Sequence, residues 1–319
     1  MTRETDVSTA TNLDAFCKTS VMSDRMTAVT DTLAVRLASV RHRITQAVLR
    51  AGRDPASVQL VCVTKGVCPD TIREGLALGM TDLGENRLQE ARLKQNALGC
   101  RLEAPGEGSC LDPQALTLEP IVRWHMIGHL QRNKVKDAVG FFHAIHSVDS
   151  VELAHELERR AAQFTQGSSP EGPRAGGQGR GQNLGFQPSV HGLEPKVEIF
   201  IQVNISKEQS KFGCSSKEAL SLSRDVLQLS HLRLVGLMTL APYSTDPESS
   251  RPVFRKLRGL RDDLNAVLVN APTRQPTHPP THLRLSMGMS NDFEVAIEEG
   301  ADYVRIGTAI FGARGVRVR

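Results

Sequence analysis

Apolar residues along this 319-residue chain fall into two alternating kinds of run. Short stretches rich in Val, Ile and Leu occupy 58–64, 80–84, 121–127, 143–148, 196–204, 232–239, 283–286 and 302–306. Their length and composition predict eight strands, of which 80–84 and 283–286 are the poorest in β-branched residues. Between them, apolar positions recur at helical spacing over 69–79, 86–97, 130–139, 150–165, 216–230, 248–268 and 292–299. A first helix is predicted over 29–51, where Leu33, Leu37, Val40, Ile44 and Val48 share a face and Gly52 provides the stop. Alternating strands and helices imply parallel strands joined by crossover helices. Eight such repeats predict an α/β fold closed into a single (β/α)8 TIM-type barrel rather than an open sheet.

Composition changes the picture in one way. Apolar residues make up 39% and aromatics 4% of the chain, so part of it is expected to lie outside the core. Residues 1–26 are rich in Thr, Ser and Asp and read as a disordered tail. Within the barrel domain, 27–315, three flexible insertions are predicted. The segment 166–195 holds eight of the 26 glycines, 270–282 is a Pro/Thr loop, and 99–120 carries Pro105, Gly106, Gly108 and Pro113. Without them roughly 230 residues remain, a normal size for one domain.

Charge and motifs narrow the function classes. The net charge is +4, with one Trp and two Tyr, so no nucleic-acid partner is expected. No run approaches the ~18 apolar residues of a membrane span, and no secretory leader is evident. A cytoplasmic protein without a membrane partner is the expectation. The six cysteines form no C-x-x-C pair, which argues against a disulfide framework or structural zinc. His125 and His129 are four apart, but Trp124-His125-Met126 reads as strand. They are therefore expected to be polar residues of the barrel mouth rather than metal ligands.

In a parallel barrel the C-terminal ends of the strands form the active face. The first strand runs straight into Lys65. Its amine either snorkels outward or sits desolvated, with a lowered pKa, where it can attack an aldehyde. The last two strands offer an anion site: Gly288 and Gly307 allow close backbone approach, Ser286, Ser290 and Thr308 carry hydroxyls, and a helix starts near Asp292. The same residues also suit ordinary turns and caps. Arg305 has three readings: a phosphate contact, a partner of a pyridine nitrogen, or a surface salt bridge. At a ring nitrogen, an arginine leaves the ring unprotonated and a weaker electron sink.

These residues fall in blocks that resemble the pyridoxal phosphate homeostasis protein family. The blocks are Val61-Cys62-Val63-Thr64-Lys65, Gly84-Glu85-Asn86-Arg87-Leu88-Gln89-Glu90, and Trp124-His125-Met126-Ile127-Gly128-His129-Leu130-Gln131 with Asn133-Lys134. Ser147-Val148-Asp149-Ser150, Gln202-Val203-Asn204, Ser210-Lys211-Phe212-Gly213 and Gly236-Leu237-Met238-Thr239 follow in family order. The series ends with Leu285-Ser286-Met287-Gly288-Met289-Ser290, Asp292-Phe293, Val304-Arg305-Ile306-Gly307-Thr308 and Phe311-Gly312. The resemblance spans about 30–315.

It implies a fold type III barrel, like the N-terminal domain of alanine racemase, that binds pyridoxal 5′-phosphate. Lys65 matches the family's aldimine lysine. Ser286, Gly307 and Thr308 match phosphate-binding positions, and Arg305 matches the residue near the pyridine nitrogen. Asn86 and His129 match polar residues near the cofactor. The chain departs from many members at Gly66-Val67-Cys68, where they carry a second lysine, and the 166–195 insertion is not a usual family feature. The implied role is a carrier that maintains pyridoxal phosphate homeostasis and supplies dependent client enzymes, with weak or absent catalysis. A fold type III racemase or decarboxylase is the alternative. Such enzymes add a C-terminal β domain, whereas seven residues follow Gly312 here. Without that domain's dimer contacts, a monomer is expected. A Schiff-base aldolase of sugar phosphates would use the same lysine and phosphate site.

Overall fold

The computed structural model describes residues 31–98, 122–166, 197–208, 211–268 and 282–312. The tail expected at 1–26 and nearly all of the three expected insertions lie outside them. Eight parallel strands close into one barrel in sequence order. They are β1 (Gln59–Val63), β2 (Asp82–Glu85), β3 (Arg123–Met126), β4 (Ala144–Val148), β5 (Val197–Gln202), β6 (Leu232–Met238), β7 (Arg284–Ser286) and β8 (Tyr303–Ile306). The ring is sealed where β1 pairs with β8, Leu60 opposite Val304 and Cys62 opposite Ile306.

The helices among the described residues are α1 (Leu33–Arg50), α2 (Pro69–Ala77), α3 (Leu88–Leu98), α4 (Val135–Ala138), α5 (Val151–Gln166), α6 (Ser216–Leu227), α7 (Arg251–Leu268), α8 (Phe293–Glu298) and α9 (Thr308–Phe311). None of them is long and apolar enough to cross a membrane. The strands are covered on both faces, which is why they read as continuous apolar runs rather than alternating ones. Val61, Ala144, Phe200, Met238 and Tyr303 fill the inside. A larger shell, including Leu37, Ile72, Phe254 and Leu257, packs between strands and helices.

Local chemistry sets several boundaries. Thr32 caps α1 by accepting from the Val35 amide, and Ser215 with Glu218 forms a capping box on α6. Two expectations are corrected. The second strand starts at Asp82, not at 80, because the chain there is still leaving Gly79, a turn residue at φ +79. The helix expected over 130–139 is a 3-10 turn, Arg132–Lys134, followed by the single turn α4. Gly140, at φ +82, ends it early.

Candidate functional site

Lys65 lies on the turn that follows β1 and is half-buried. Its turn is held from below. Thr64 is fully buried and donates from Oγ1 to Glu85 Oε1 at 2.6 Å. Lys94, on α3, places its ammonium 2.6 Å from the Thr64 carbonyl, from Glu85 Oε1 and from Glu90 Oε1. Glu90 also accepts the Gly66 amide, and Gly66 turns the chain at φ +74. One buried cation thus ties β1, β2 and α3 to the turn that carries Lys65. Burial pushes the Glu85 carboxyl up, against the hydrogen bonds from Lys94 and Thr64.

Barrel closure brings the end of β8 beside this turn. Gly307 follows β8 so closely against β1 that a Cβ would lie 3.1 Å from the Val63 carbonyl oxygen. The amides of Gly307 and Ala309 converge on the Ser290 hydroxyl, at 3.3 and 3.2 Å. Gly288 makes the preceding turn at φ +92, where a side chain would collide with α8. Thr308 is exposed at the start of α9. The donor cluster of this pole is therefore Ser290 with the amides of Gly307 and Ala309. The helix start near Asp292 does not add to it. Asp292 turns its own carboxylate back onto the Met289 amide at 2.7 Å and accepts from Ser250 at 3.0 Å, so an anion already sits there.

Arg305 is not a surface residue. It is 3% exposed, inside the barrel, with Nη1 donating to Ser286 Oγ at 2.6 Å and Nη2 to the Thr239 carbonyl at 2.8 Å. Burial pulls its guanidinium down to about 10. Ser286, expected at the phosphate pole, is fully buried, with its hydroxyl engaged by Arg305 and His146.

His125 does not line the mouth as expected. It is 2% exposed within the barrel, between Asp82 Oδ1 at 2.8 Å and His146 Nε2 at 3.0 Å. Burial opposes ionisation of Asp82, but His125 first, then Thr81 and Arg123, hold its carboxyl at about 2. Burial holds His146 neutral and pushes the partly buried His143 down to about 4.

This set of shifts gives acid sensitivity a sign. An unfolded histidine takes up a proton below about pH 6.5, whereas folded His143 resists until about 4. Stability is therefore expected to fall steadily as pH drops through that window. A further loss is expected from about 4 to about 2, as the Asp82 carboxylate is titrated. Urea midpoints should decrease from neutrality to pH 5; an unchanged midpoint would contradict a neutral His143 and His146.

At the rim, Asn86 is partly buried and its backbone is packed against Gly128, where any side chain would collide with it. His129 stacks on the exposed Phe212, ring centroids 3.8 Å apart, with Nδ1 3.6 Å from Asp149. A cavity of about 620 Å³ opens beside it, lined by Gln131, Arg132, Asp149 and Glu152. Among the described residues no group of three or more His, Cys, Asp or Glu could hold a metal ion. The structure thus brings Lys65, Gly307 and Thr308 to one side of the mouth, with Arg305 beneath and Asn86 on the rim. Sequence reasoning missed Lys94, His146 and Asp82 altogether. Only the Glu90–Lys94 spacing of four residues carried a readable signal.

The family described as alanine racemase, N-terminal domain, matches residues 35–315. The pyridoxal phosphate homeostasis protein of Aquifex aeolicus is 37% identical over 279 residues, covering 88% of this chain and 97% of that protein. That of Pseudomonas aeruginosa is 36% identical, covering 89% and 96%. PipY of Synechococcus elongatus, solved with pyridoxal phosphate bound, superposes with a TM-score of 0.59 at 31% identity, covering 88% of this chain and all of PipY. Alanine racemase of Clostridium difficile shares the fold, with a TM-score of 0.54 at 12% identity, over 56% of its length. With a closed eight-stranded barrel of the alanine racemase type and relatives of this identity along nearly their whole length, the chain belongs to the pyridoxal phosphate homeostasis protein family.

Proposed function

We propose that this chain binds pyridoxal 5′-phosphate in the barrel mouth, with the Lys65 amine as its covalent anchor. In this reading it acts as a cytoplasmic, monomeric carrier that limits the free cofactor and supplies client enzymes. The observation that carries the reading is the β1–β8 seam, which sets the Lys65 turn directly beside Gly307. An amine that can hold an aldehyde and amides that can hold a phosphate are the two ends such a cofactor needs. When bound, the cofactor supplies a reactive aldehyde and an electron-withdrawing ring.

The chain's own groups have separate tasks. The Glu85–Lys94–Glu90 cluster orients the turn that carries Lys65. Ser290, Thr308 and the Gly307 and Ala309 amides would take the phosphate, with Ser286 supporting Arg305 from behind. Asn86 borders the mouth. Arg305 donates without a carboxylate partner and so favours an unprotonated ring nitrogen, a weak electron sink suited to holding rather than transforming. A fold type III racemase commonly takes a tyrosine base from its C-terminal β domain, and neither of this chain's two tyrosines is buried beside the Lys65 turn. Tyr303 is buried at the closed end, accepting from Arg284, and Tyr243 is 86% exposed on the β6–α7 loop.

Titration with pyridoxal phosphate is expected to give a saturable visible absorbance band and a raised melting temperature. Pyridoxal, which lacks the phosphate, should bind at least about tenfold more weakly, since it forfeits several charge-assisted hydrogen bonds. Equal binding of the two would remove the phosphate pole, and no band with either would remove the reading.

A further inference from the structure

A single file of hydrogen bonds crosses the barrel interior. Starting near the closed end, Arg123 and Thr81 fix the Asp82 carboxylate at 2.9 and 2.8 Å. Asp82 Oδ1 lies 2.8 Å from His125 Nε2, His125 Nδ1 3.0 Å from His146 Nε2, and His146 Nδ1 2.9 Å from Ser286 Oγ. Ser286 Oγ receives Arg305 at 2.6 Å. All five residues are at most 5% exposed, and they come from β2, β3, β4, β7 and β8.

Proton counting gives the file a direction. Asp82 is ionised and can only accept, so His125 carries its proton on Nε2. With Arg123 already paired to that carboxylate, a His125 Nδ1 that accepts sets the sense of the file. His146 must then donate from Nε2 and accept at Nδ1. The Ser286 hydroxyl fills that acceptor with its own proton, which leaves its oxygen lone pair to receive Arg305, a donor only. The Ser286 proton therefore points into the barrel, away from the mouth, and its lone pair faces Arg305. His146 is held in place by stacking on Phe200, ring centroids 4.2 Å apart, with Tyr303 edge-on.

We propose that Asp82, His125, His146 and Ser286 form a positioning relay for Arg305. It sets from the closed end of the barrel how the guanidinium is presented at the mouth. This deepens the cofactor reading and rests on it for the identity of what Arg305 meets. Ser286 and His146 are positioning residues here. They act through Arg305 and need not touch the ligand.

Two measurements test the proposal. Long-range proton–nitrogen spectra of the uniformly labelled protein without cofactor, near neutrality, should show His146 neutral, and His125 and His146 each with the proton on Nε2. In Ser286→Ala, His146 Nδ1 loses its donor and its nitrogen resonance should move toward that of a free acceptor. A wild-type His146 protonated on Nδ1, or charged, overturns the relay. Titration with pyridoxal phosphate should then show Ser286→Ala and His146→Phe each binding on the order of tenfold more weakly, with a displaced visible band. The double variant should be no worse than either alone, as expected of links in one file. Single variants that match wild type in affinity and band, with unchanged circular dichroism, overturn it as well. Wild-type protein that shows the expected tautomers but no band overturns the cofactor reading alone.

Discussion

Lys65→Ala is expected to lose all borohydride-fixed pyridoxal phosphate and the visible band that fixation removes. The expectation follows from where the chain spends its rigidity. Thr64, Gly66 and Val67 are held by Glu85, Glu90, Lys94 and the Thr64 carbonyl. The Lys65 side chain is half-buried and makes none of these frame hydrogen bonds. Truncating it leaves the frame intact, so the variant should fold and melt close to wild type. The opposite pole is built from Ser290 and the Gly307 and Ala309 amides and is untouched. Reversible binding should persist at reduced affinity, with pyridoxal phosphate still preferred over pyridoxal. Mass spectrometry after borohydride reads the covalent part, and equilibrium dialysis reads the remainder. A wild-type level of trapping in the variant would exclude Lys65 as the anchor.

Lys94→Met should be the most destabilising single change near the site. Lys94 is 5% exposed, and the charge it meets on Glu85 is fully buried. Glu85 Oε2 already has no hydrogen-bond partner among the described residues. Removing the cation leaves a buried carboxylate facing a carbonyl and a second carboxylate, an arrangement that costs about 3–5 kcal/mol. Adding Glu85→Gln should recover a substantial part, because the uncompensated charge then disappears. The loss should also shrink toward acid pH, where Glu85 takes up a proton, its carboxyl being raised already in the wild type. Urea unfolding of the single and double variants measures both effects. A single variant within about 1 kcal/mol of wild type would show that the cluster is solvated and of little weight.

Barrel closure and strand order were legible because eight apolar runs alternate with helical spacing, and periodicity survives ignorance of the tertiary contacts. Lys65, Gly307 and Thr308 were legible because they sit where strands end, a position that topology alone makes chemical. Ser286 and Ser290 were not separable. They stand four residues apart across a turn at Gly288, and only the turn's path decides which hydroxyl faces the Gly307 amide and which faces inward. His125 looked like a rim residue, and His146 drew no reading, because a barrel interior is expected to be apolar. A polar file inside it becomes visible only when five strands are brought together. The Glu90–Lys94 pair was readable as helix spacing, but its burial against Glu85 depends on α3 lying across the end of β1.

The seam between β1 and β8 joins Cys62 to Ile306, and those residues come from nearly opposite ends of the described chain. Closing so long a loop is the entropically costliest pairing in the ring. Both halves of the proposed site stand on that seam, Lys65 on one lip and Gly307 on the other. A nascent chain would therefore lack the proposed site until its last strand has been synthesised. Any ligand that spans the lips acts as a clasp on the joint that closes the longest loop of the barrel. Its signature would be slowed amide hydrogen exchange along β1 and β8, with little change in β4 and β5 on the far side of the ring.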